Sequence, residues 1–387
     1  MLGETVNRVL WTSSNMALLG RIAAEFETTR PFAGRRIGVS LHLEVKTAVL
    51  LLALKAGGAD IVATGNYGTS QDDVVAYLND QGVDARGSGS DSLERHLRHV
   101  EGVVDSNPDI LLDNGADLAR RVVDRGLAVL GGTEETTSGH NILAGELASR
   151  LHFPVIVIND SPLKALVENK HAVGQSTYES LCRLTNLMPQ GKRVLVAGYG
   201  WCGRGIAHYM RANGCDVAVA EIDEIKALEA ALDGFRVSDS VAMLIADSDI
   251  AITATGAAGV IGAEELRDAP SGLLLANAGH FPIEIDVPAL NAETAERVPL
   301  GDALARHVLH DGRTIDLIAD GRMMNLAGSQ PKGNSIQSMD MGFAMQARSL
   351  ERVARDHASL PHGAQPVPDD INRALAREFT RQMGNPV

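Results

Sequence analysis

The sequence predicts an α/β protein built from two doubly wound parallel-sheet domains, the second a Rossmann-type nucleotide fold. Three observations carry this prediction. Short apolar runs, many of them β-branched, alternate with helical patterns along most of the chain. Strand after strand ends in a polar turn that opens a helix. Residues 193–207 read as strand, tight turn and helix around Gly198, Gly200 and Gly203. A length of 387 residues suits two cores of ordinary size, and a hydrophobic fraction of 45% suits burying them.

In the first half, residues 36–40 form a strand, and the helix after it, about 45–56, sets Val45, Val49, Leu52 and Ala53 on one face. A strand at 60–64 runs into Gly65-Asn66-Tyr67-Gly68-Thr69, with a helix from near Ser70. The next strand is 109–112, and residues 113–117 are its turn and helix start. Residues 127–130 read as a further strand, residues 131–139 as its turn, and 154–158 as the last strand of this half. A helix over about 176–187 leads through Pro189-Gln190-Gly191 into the glycine motif, and the second unit continues through 216–220, 250–253, 273–277 and 314–318. A helix over 339–355 lies too far along for that sheet and is expected to cross back to the first domain. The domains therefore read as 1–174, completed by 334–364, and 175–333. Residues 365–387, with Pro366, Pro368 and Pro386, read as a short tail.

The glycine motif carries the first chemistry. Gly198 permits the turn, Gly200 lets backbone approach a pyrophosphate, and Gly203 lets helix and strand pack closely. The phosphates would sit on the free N–H groups of the helix start. A second strand ends on Glu221, roughly twenty residues on, as the dinucleotide fingerprint requires. A carboxylate there accepts hydrogen bonds from both ribose hydroxyls and repels a 2′-phosphate, so the expected cofactor is NAD rather than NADP.

Composition narrows the partners. A net charge of -14 argues against nucleic acid and anionic membranes, which need basic surface. The first residues carry Glu4 and no long apolar core, so no signal peptide is expected. No apolar run approaches the roughly twenty residues that span a bilayer, and a cytoplasmic location follows as an expectation. Cys182, Cys202 and Cys215 are few and scattered, which fits a reducing compartment and suggests neither a disulfide framework nor a metal site.

Four polar clusters stand at expected strand ends, where ligands gather in doubly wound sheets. They are His42 with Glu44 and Lys46; Asp113, Asn114 and Asp117; Glu134 and Glu135 ahead of a hydroxyl run; and Asn159 to Lys164, with Glu168 and Asn169 beyond. If Pro162 opens a helix, Lys164 and Glu168 stand four apart on one face. An arbitrary surface pair of that kind is worth well under about 1 kcal/mol. Position raises its interest, because a Lys beside a nicotinamide can take the proton of an alcohol under oxidation. His280, in Asn277-Ala278-Gly279-His280-Phe281, closes a strand of the nucleotide unit and is a further candidate.

Taken together, these stretches resemble the adenosylhomocysteinases. The resemblance rests on residues 41–50, 112–118, 133–139 and 159–161, the glycine motif with Glu221-Ile222-Asp223, residues 277–281 and residues 321–326, all in one order. It implies a tightly held NAD used and regenerated within each turnover: the ribose 3′-hydroxyl is oxidised, the C4′ hydrogen becomes acidic, the C5′ group is eliminated, water adds, and the ketone is reduced again. It implies that Lys164 activates the 3′-hydroxyl, that Glu135 holds the ribose hydroxyls, and that His42 acts at C5′, with Glu168, His280 and position 114 (Asn114) in the catalytic set. Thr136, Thr137, Ser138, Asn169, Gly198, Gly200, Trp201, Cys202, Gly203, Glu221, Thr255, Gly256, Ala278, Gly279 and Asn325 would contact NAD. Glu44, Asn66 and Lys332 would face the substrate, and the assembly would be a homo-oligomer, dimer or tetramer.

Departures from the family pattern shape the functional expectation. Asn114 stands where the family has an acid/base Asp, and an amide cannot transfer that proton at neutral pH. Glu168 replaces an Asp, Glu44 a Thr and Val173 a Cys, while Pro331-Lys332-Gly333 replaces a Gly-His-Pro turn. The family's C-terminal Lys and Tyr have no counterpart in residues 382–387. The expectation is oxidation and elimination on an adenosine-like nucleoside, ending as a net dehydration of the kind used in specialised nucleoside (antibiotic-type) biosynthesis. The alternatives are ordinary adenosylhomocysteine hydrolysis and a non-catalytic NAD-binding regulator.

Overall fold

A computed structural model describes residues 2–385. Along the chain the strands are β1 (Arg36–Ser40), β2 (Asp60–Thr64), β3 (Asp84–Arg86), β4 (Ile110–Asp113), β5 (Gly131–Glu134) and β6 (Pro154–Val157). Then come β7 (Arg193–Ala197), β8 (Asp216–Ala220), β9 (Arg236–Ser238), β10 (Ile250–Thr253) and β11 (Leu273–Asn277). The remainder are β12 (Thr294–Gly301), β13 (Leu304–Leu309), β14 (Thr314–Ile318) and β15 (Gly363–Pro366). The described residues form two compact units, one running through Ala165 and resuming at Ile336, the other Leu166–Ser335. The chain is α/β in both.

The first unit holds a sheet in the order β15-β6-β5-β4-β1-β2-β3, parallel throughout. The chain lays strands outward from β1 to β3, then returns and builds outward again from β4. The order therefore reverses between β1 and β4, which makes their carboxyl ends a switch point. Right-handed crossovers put the helix Val45–Ala56 and the helix Asp117–Asp124 on opposite faces. The helix Ile336–Asp356 packs with Ala17–Thr29 and Val45–Ala56 and lies over β4 and β5.

The second unit holds a sheet in the order β12-β13-β14-β11-β10-β7-β8-β9. Its strands alternate between two cores: Val194, Val196, Val217 and Val219 enter one, and Leu195, Ala197, Ala218 and Ala220 the other. Burial on both faces is why these strands read as continuous apolar runs. Here the order reverses between β7 and β10, which carry the Gly198 turn and the turn at Thr255. Among the described residues no helix is long and apolar enough to cross a membrane.

Several sequence expectations are corrected. The strand expected at 127–130 begins instead at Gly131, so Glu134 is a strand residue rather than part of a turn. Glycines suggest loop, yet here they are what lets the strand fit: a Cβ at Gly132 would lie 2.7 Å from the Leu111 carbonyl oxygen, and one at Gly131 2.6 Å from that of Pro154. The segment after Pro162 is π-helical over Lys164–Ala172 rather than α-helical. The boundary between units falls between Ala165 and Leu166, ahead of the expected 174/175. The expected tail is not one: Gln365 and Pro366 belong to β15, which extends the sheet beside β6, and Asp369–Gln382 is a helix packed on Ile336–Asp356. Residues 386 and 387 of that expectation lie outside the described residues. The antiparallel pair β12–β13 is not legible in the sequence, because exposed β12 lacks the apolar run that marks the other strands.

Asp340 shows how the late helix is tied into the first unit. Buried on Ile336–Asp356, its carboxylate accepts the N–H groups of Leu18 and Leu19 at 2.9 and 2.8 Å. It thereby caps the helix Ala17–Thr29, whose own N-cap, Met16, offers no side-chain bond. Asp340→Ala is expected to lower unfolding free energy by about 1–2 kcal/mol in chemical denaturation. An unchanged midpoint would contradict the capping role.

Candidate active site

In the first unit the expected site residues converge on the carboxyl ends of β1, β2, β4 and β5. His42 follows β1, and its Nδ1 lies 2.9 Å from Thr69 Oγ1. That hydroxyl donates to the Asn66 carbonyl at 2.8 Å, so it must accept from His42. Nδ1 of His42 is therefore the donor in this bond, and Thr69 orients the ring through it. Asn66 Nδ2 in turn donates to the Asn114 carbonyl at 3.2 Å. This chain of bonds spans the switch point from β1 to β4. Glu44 begins the helix Val45–Ala56 in extended backbone without capping it. Its carboxylate instead pairs with Lys46 at 3.2 Å, both side chains being mostly buried.

Across the switch point, Asp113 and Glu134 stand in register on β4 and β5, both buried. Asp113 accepts the N–H groups of Leu118 and Ala119 at 2.9 and 2.8 Å, which fixes the start of the helix Asp117–Asp124. Burial, and after it the neighbouring Glu134 charge, pushes the Asp113 carboxyl well above the usual carboxylate range. Burial also raises Glu134, against the hydrogen bonds it accepts.

Glu135 occupies the centre. It is buried; its Oε1 meets Lys164 Nζ and its Oε2 meets Gln346 Nε2. Lys164 is 6% exposed and Gln346 fully buried, so this is no surface ion pair. Sequence reasoning misses Gln346, because it lies 211 residues from Glu135 on a helix whose sequence shows only an apolar face. Thr136 caps the helix Thr137–Ala144 by accepting Gly139 N–H at 2.9 Å, and lies 3.0 Å from Ser138 Oγ. Thr137 Oγ1 accepts from Asn159 Nδ2 at 2.7 Å.

Several buried polar atoms along this edge have no hydrogen-bond partner among the described residues: Ser40 Oγ, Thr64 Oγ1, Asn66 Oδ1 and Asn114 Oδ1. Ser40 and Thr64 are paired end residues of β1 and β2. Buried polar groups are normally satisfied, so a row of orphans at a switch point is the mark of a polar ligand site.

The second unit carries the remaining expected residues. Gly198 has φ +96°, and a Cβ there would lie 2.8 Å from the Ala254 carbonyl oxygen across the switch point. A Cβ on Gly203 would collide with the Gly198 carbonyl oxygen, whereas Gly200 faces open space. The helix Trp201–Ala212 begins there, with exposed Trp201 lying under the Arg204 guanidinium and Cys202 half-buried beside it. Glu221 ends β8 and is oriented by N–H bonds from Tyr199 at 2.7 Å and from Ile222 and Asp223 at 2.9 Å. These residues fit a dinucleotide: a tight turn, an open glycine, a helix N-terminus and a held carboxylate.

Buried Glu284 accepts Thr255 N–H and Oγ1–H at 2.8 and 2.7 Å and Gly256 N–H at 2.9 Å, while Asn277 Oδ1 accepts Gly279 N–H at 2.8 Å. Ala278 is buried, and His280 is exposed with its ring edge-on to Phe281. Asn325 is buried, its amide donating to Ser176 Oγ at 3.2 Å and its Oδ1 without a partner among the described residues. Glu168 is buried on the π-helical segment, Asn169 half-buried, and Lys332 exposed. Among the described residues no group of three or more His, Cys, Asp or Glu is placed to hold a metal ion.

Residues 7–128 match the S-adenosyl-L-homocysteine hydrolase family, and residues 169–331 match its NAD-binding domain. An S-inosyl-L-homocysteine hydrolase of Methanopyrus kandleri is 41% identical over 97% of this chain and 89% of its own length. An adenosylhomocysteinase of Pyrococcus abyssi is 41% identical over 98% of this chain and 91% of its own length. In fold, the chain is similar to a dipicolinate synthase from Bacillus halodurans, with a TM-score of 0.51 at 13% identity, over 84% of this chain and all of that one. Gly203→Ala is expected to leave the purified protein with NAD reduced about tenfold or more, measured after acid release, because the added methyl displaces the phosphate turn. Wild-type NAD content in that variant would contradict the assignment.

Proposed function

The chain belongs to the S-adenosyl-L-homocysteine hydrolase family, an enzyme family that uses NAD, and from that premise we propose that it hydrolyses the thioether of an S-nucleosyl-L-homocysteine. The products are the free nucleoside and homocysteine. The observation that carries this reading is the buried Lys164–Glu135–Gln346 cluster beside the Asn114 turn. The expectation of a net dehydration gives way, since relatives similar over almost the whole chain bear hydrolase names.

When bound, NAD supplies reversible oxidation at the ribose 3′-carbon. Lys164 in its neutral form accepts the 3′-hydroxyl proton. Glu135, held by Lys164 and Gln346, accepts hydrogen bonds from the ribose hydroxyls. His42 Nε2 takes the C4′ proton and passes it to the leaving sulfur, then takes one from the incoming water at C5′ and returns it to C4′. Asn114 orients but cannot carry a proton, so Lys164 and His42 are the bases on this edge that serve the C4′ step. Glu168 and His280 join the catalytic set, and Glu44, Asn66 and Lys332 the substrate contacts. Within the second unit, the glycine turn, Glu221 and Asn169 would hold NAD. Self-association into a homo-oligomer belongs to the same proposal.

Relatives named for adenosyl and for inosyl substrates are equally similar to this chain, so both a 6-amino and a 6-oxo purine belong in the test. Asn114, buried with an unpartnered Oδ1, favours a second reading in which elimination is not followed by water addition. Both are read in one assay. The NAD-loaded enzyme is given S-adenosyl- and S-inosyl-L-homocysteine, free thiol is titrated, and the nucleoside is weighed by mass spectrometry. Intact nucleoside with stoichiometric thiol is expected; thiol with a nucleoside lighter by one water supports the second reading, and no thiol from either overturns both. Lys164→Ala should slow transient reduced-cofactor absorbance by about 100-fold or more, and an unchanged transient would remove Lys164 from its role.

A further inference from the structure

Glu134 has no part in the reaction derived above, yet its buried carboxylate accepts four hydrogen bonds. Its Oε1 accepts Gly115 N–H at 2.9 Å, Thr136 N–H at 2.8 Å and Thr136 Oγ1–H at 2.7 Å, and its Oε2 accepts Ala116 N–H at 2.9 Å. Two turns from different strands therefore close on one carboxylate. Gly115 and Ala116 both have positive φ, +92° and +58°, and Ala116 is a buried non-glycine residue in that region. Successive amides in such a turn form a concave nest for an anion, and here the anion is a side chain of the same protein. A left-handed alanine persists only where its surroundings hold it, and Glu134 Oε2 is what its N–H meets. The carboxylate lies directly over Gly139, where an added Cβ would collide with it.

We propose that Glu134 is a positioning residue, which sets the backbone of the two turns carrying Asn114 and Glu135 and touches no substrate itself. Asn114 immediately precedes the clamped Gly115, and Glu135 lies between Glu134 and the clamped Thr136. Glu135 is also tied to the other turn, its N–H donating to the Asp113 carbonyl at 3.0 Å. Releasing the clamp lets Ala116 relax toward negative φ and carries Asn114 and Glu135 out of register with Lys164. A displacement of even about 1 Å in such a group costs about 100-fold in rate.

The kinetic part of this proposal rests on the hydrolytic reading; the structural part does not. The test uses NAD-loaded full-length enzyme, wild type, Glu134→Gln and Glu134→Asp, followed by hydrogen–deuterium exchange and by kcat and KM. Glutamine turns one acceptor into a donor facing an N–H group. Aspartate keeps the charge but falls short of the amides, so it separates position from electrostatics. Expected are exchange at 113–119 and 135–139 faster by about tenfold with β7 and β8 unchanged, and kcat lower by about 100-fold with KM within about threefold, in both variants. Ala116→Gly, which tolerates the left-handed turn unaided, should restore about tenfold of the lost kcat in Glu134→Gln. Unchanged exchange in the two turns overturns the proposal, as does wild-type kcat in Glu134→Asp, which also decides the matter if Glu134→Gln does not accumulate. Faster exchange in variants of an enzyme that releases no thiol upholds the clamp and rejects the hydrolytic reading.

Discussion

Parallel strands that end at a ligand site expose amides that no neighbouring strand satisfies, and this chain answers that constraint with buried carboxylates. Asp113 and Glu134 do so in the first unit, Glu221 and Glu284 in the second. Each takes two or more N–H groups from the turns and helix starts that follow strands, where a lone carboxylate would be costly to bury. The hydrogen bonds offset part of that cost and also fix backbone that would otherwise be loop. The constraint this device imposes is visible at Gly139 and Gly279, where the carboxylates of Glu134 and Glu284 leave no space for a Cβ.

The two units share this solution although their sequences show no repeat. Each has its switch point beside its first strand, between β1 and β4 in one and between β7 and β10 in the other. In the nucleotide unit the switch point presents amides and glycines, suited to phosphate. In the other it presents an imidazole, a buried amine and a carboxylate, suited to moving protons. A chain of net charge -14 thus keeps the amine of Lys164 inside rather than on its surface.

What the sequence made legible was local. The glycine turn, the strand it follows and Glu221 lie within one βαβ unit, so their meaning survives without knowledge of the fold. His42, Asn114, Glu135 and Lys164 stand out because each follows a strand, and strand ends in doubly wound sheets gather. Gln346 does not, since nothing near it in sequence betrays that its helix returns to Glu135. Glu134 reads as a turn residue for a different reason: β5 begins with two glycines, which carry no strand propensity, and only the closeness of β4 and β6 explains them. Strand β15 hides in the same way behind prolines at an edge, where a missing N–H costs nothing.

In the proposed reaction the first unit's edge moves protons on a sugar whose 3′-carbon is transiently oxidised, so that the C4′ hydrogen is exchanged while the C3′ hydrogen is kept. Turnover of S-adenosyl- or S-inosyl-L-homocysteine in deuterium oxide, with the nucleoside product read by proton NMR, tests this most directly. Deuterium at C4′ and hydrogen retained at C3′ are expected. Product formed with the C4′ hydrogen intact would contradict it.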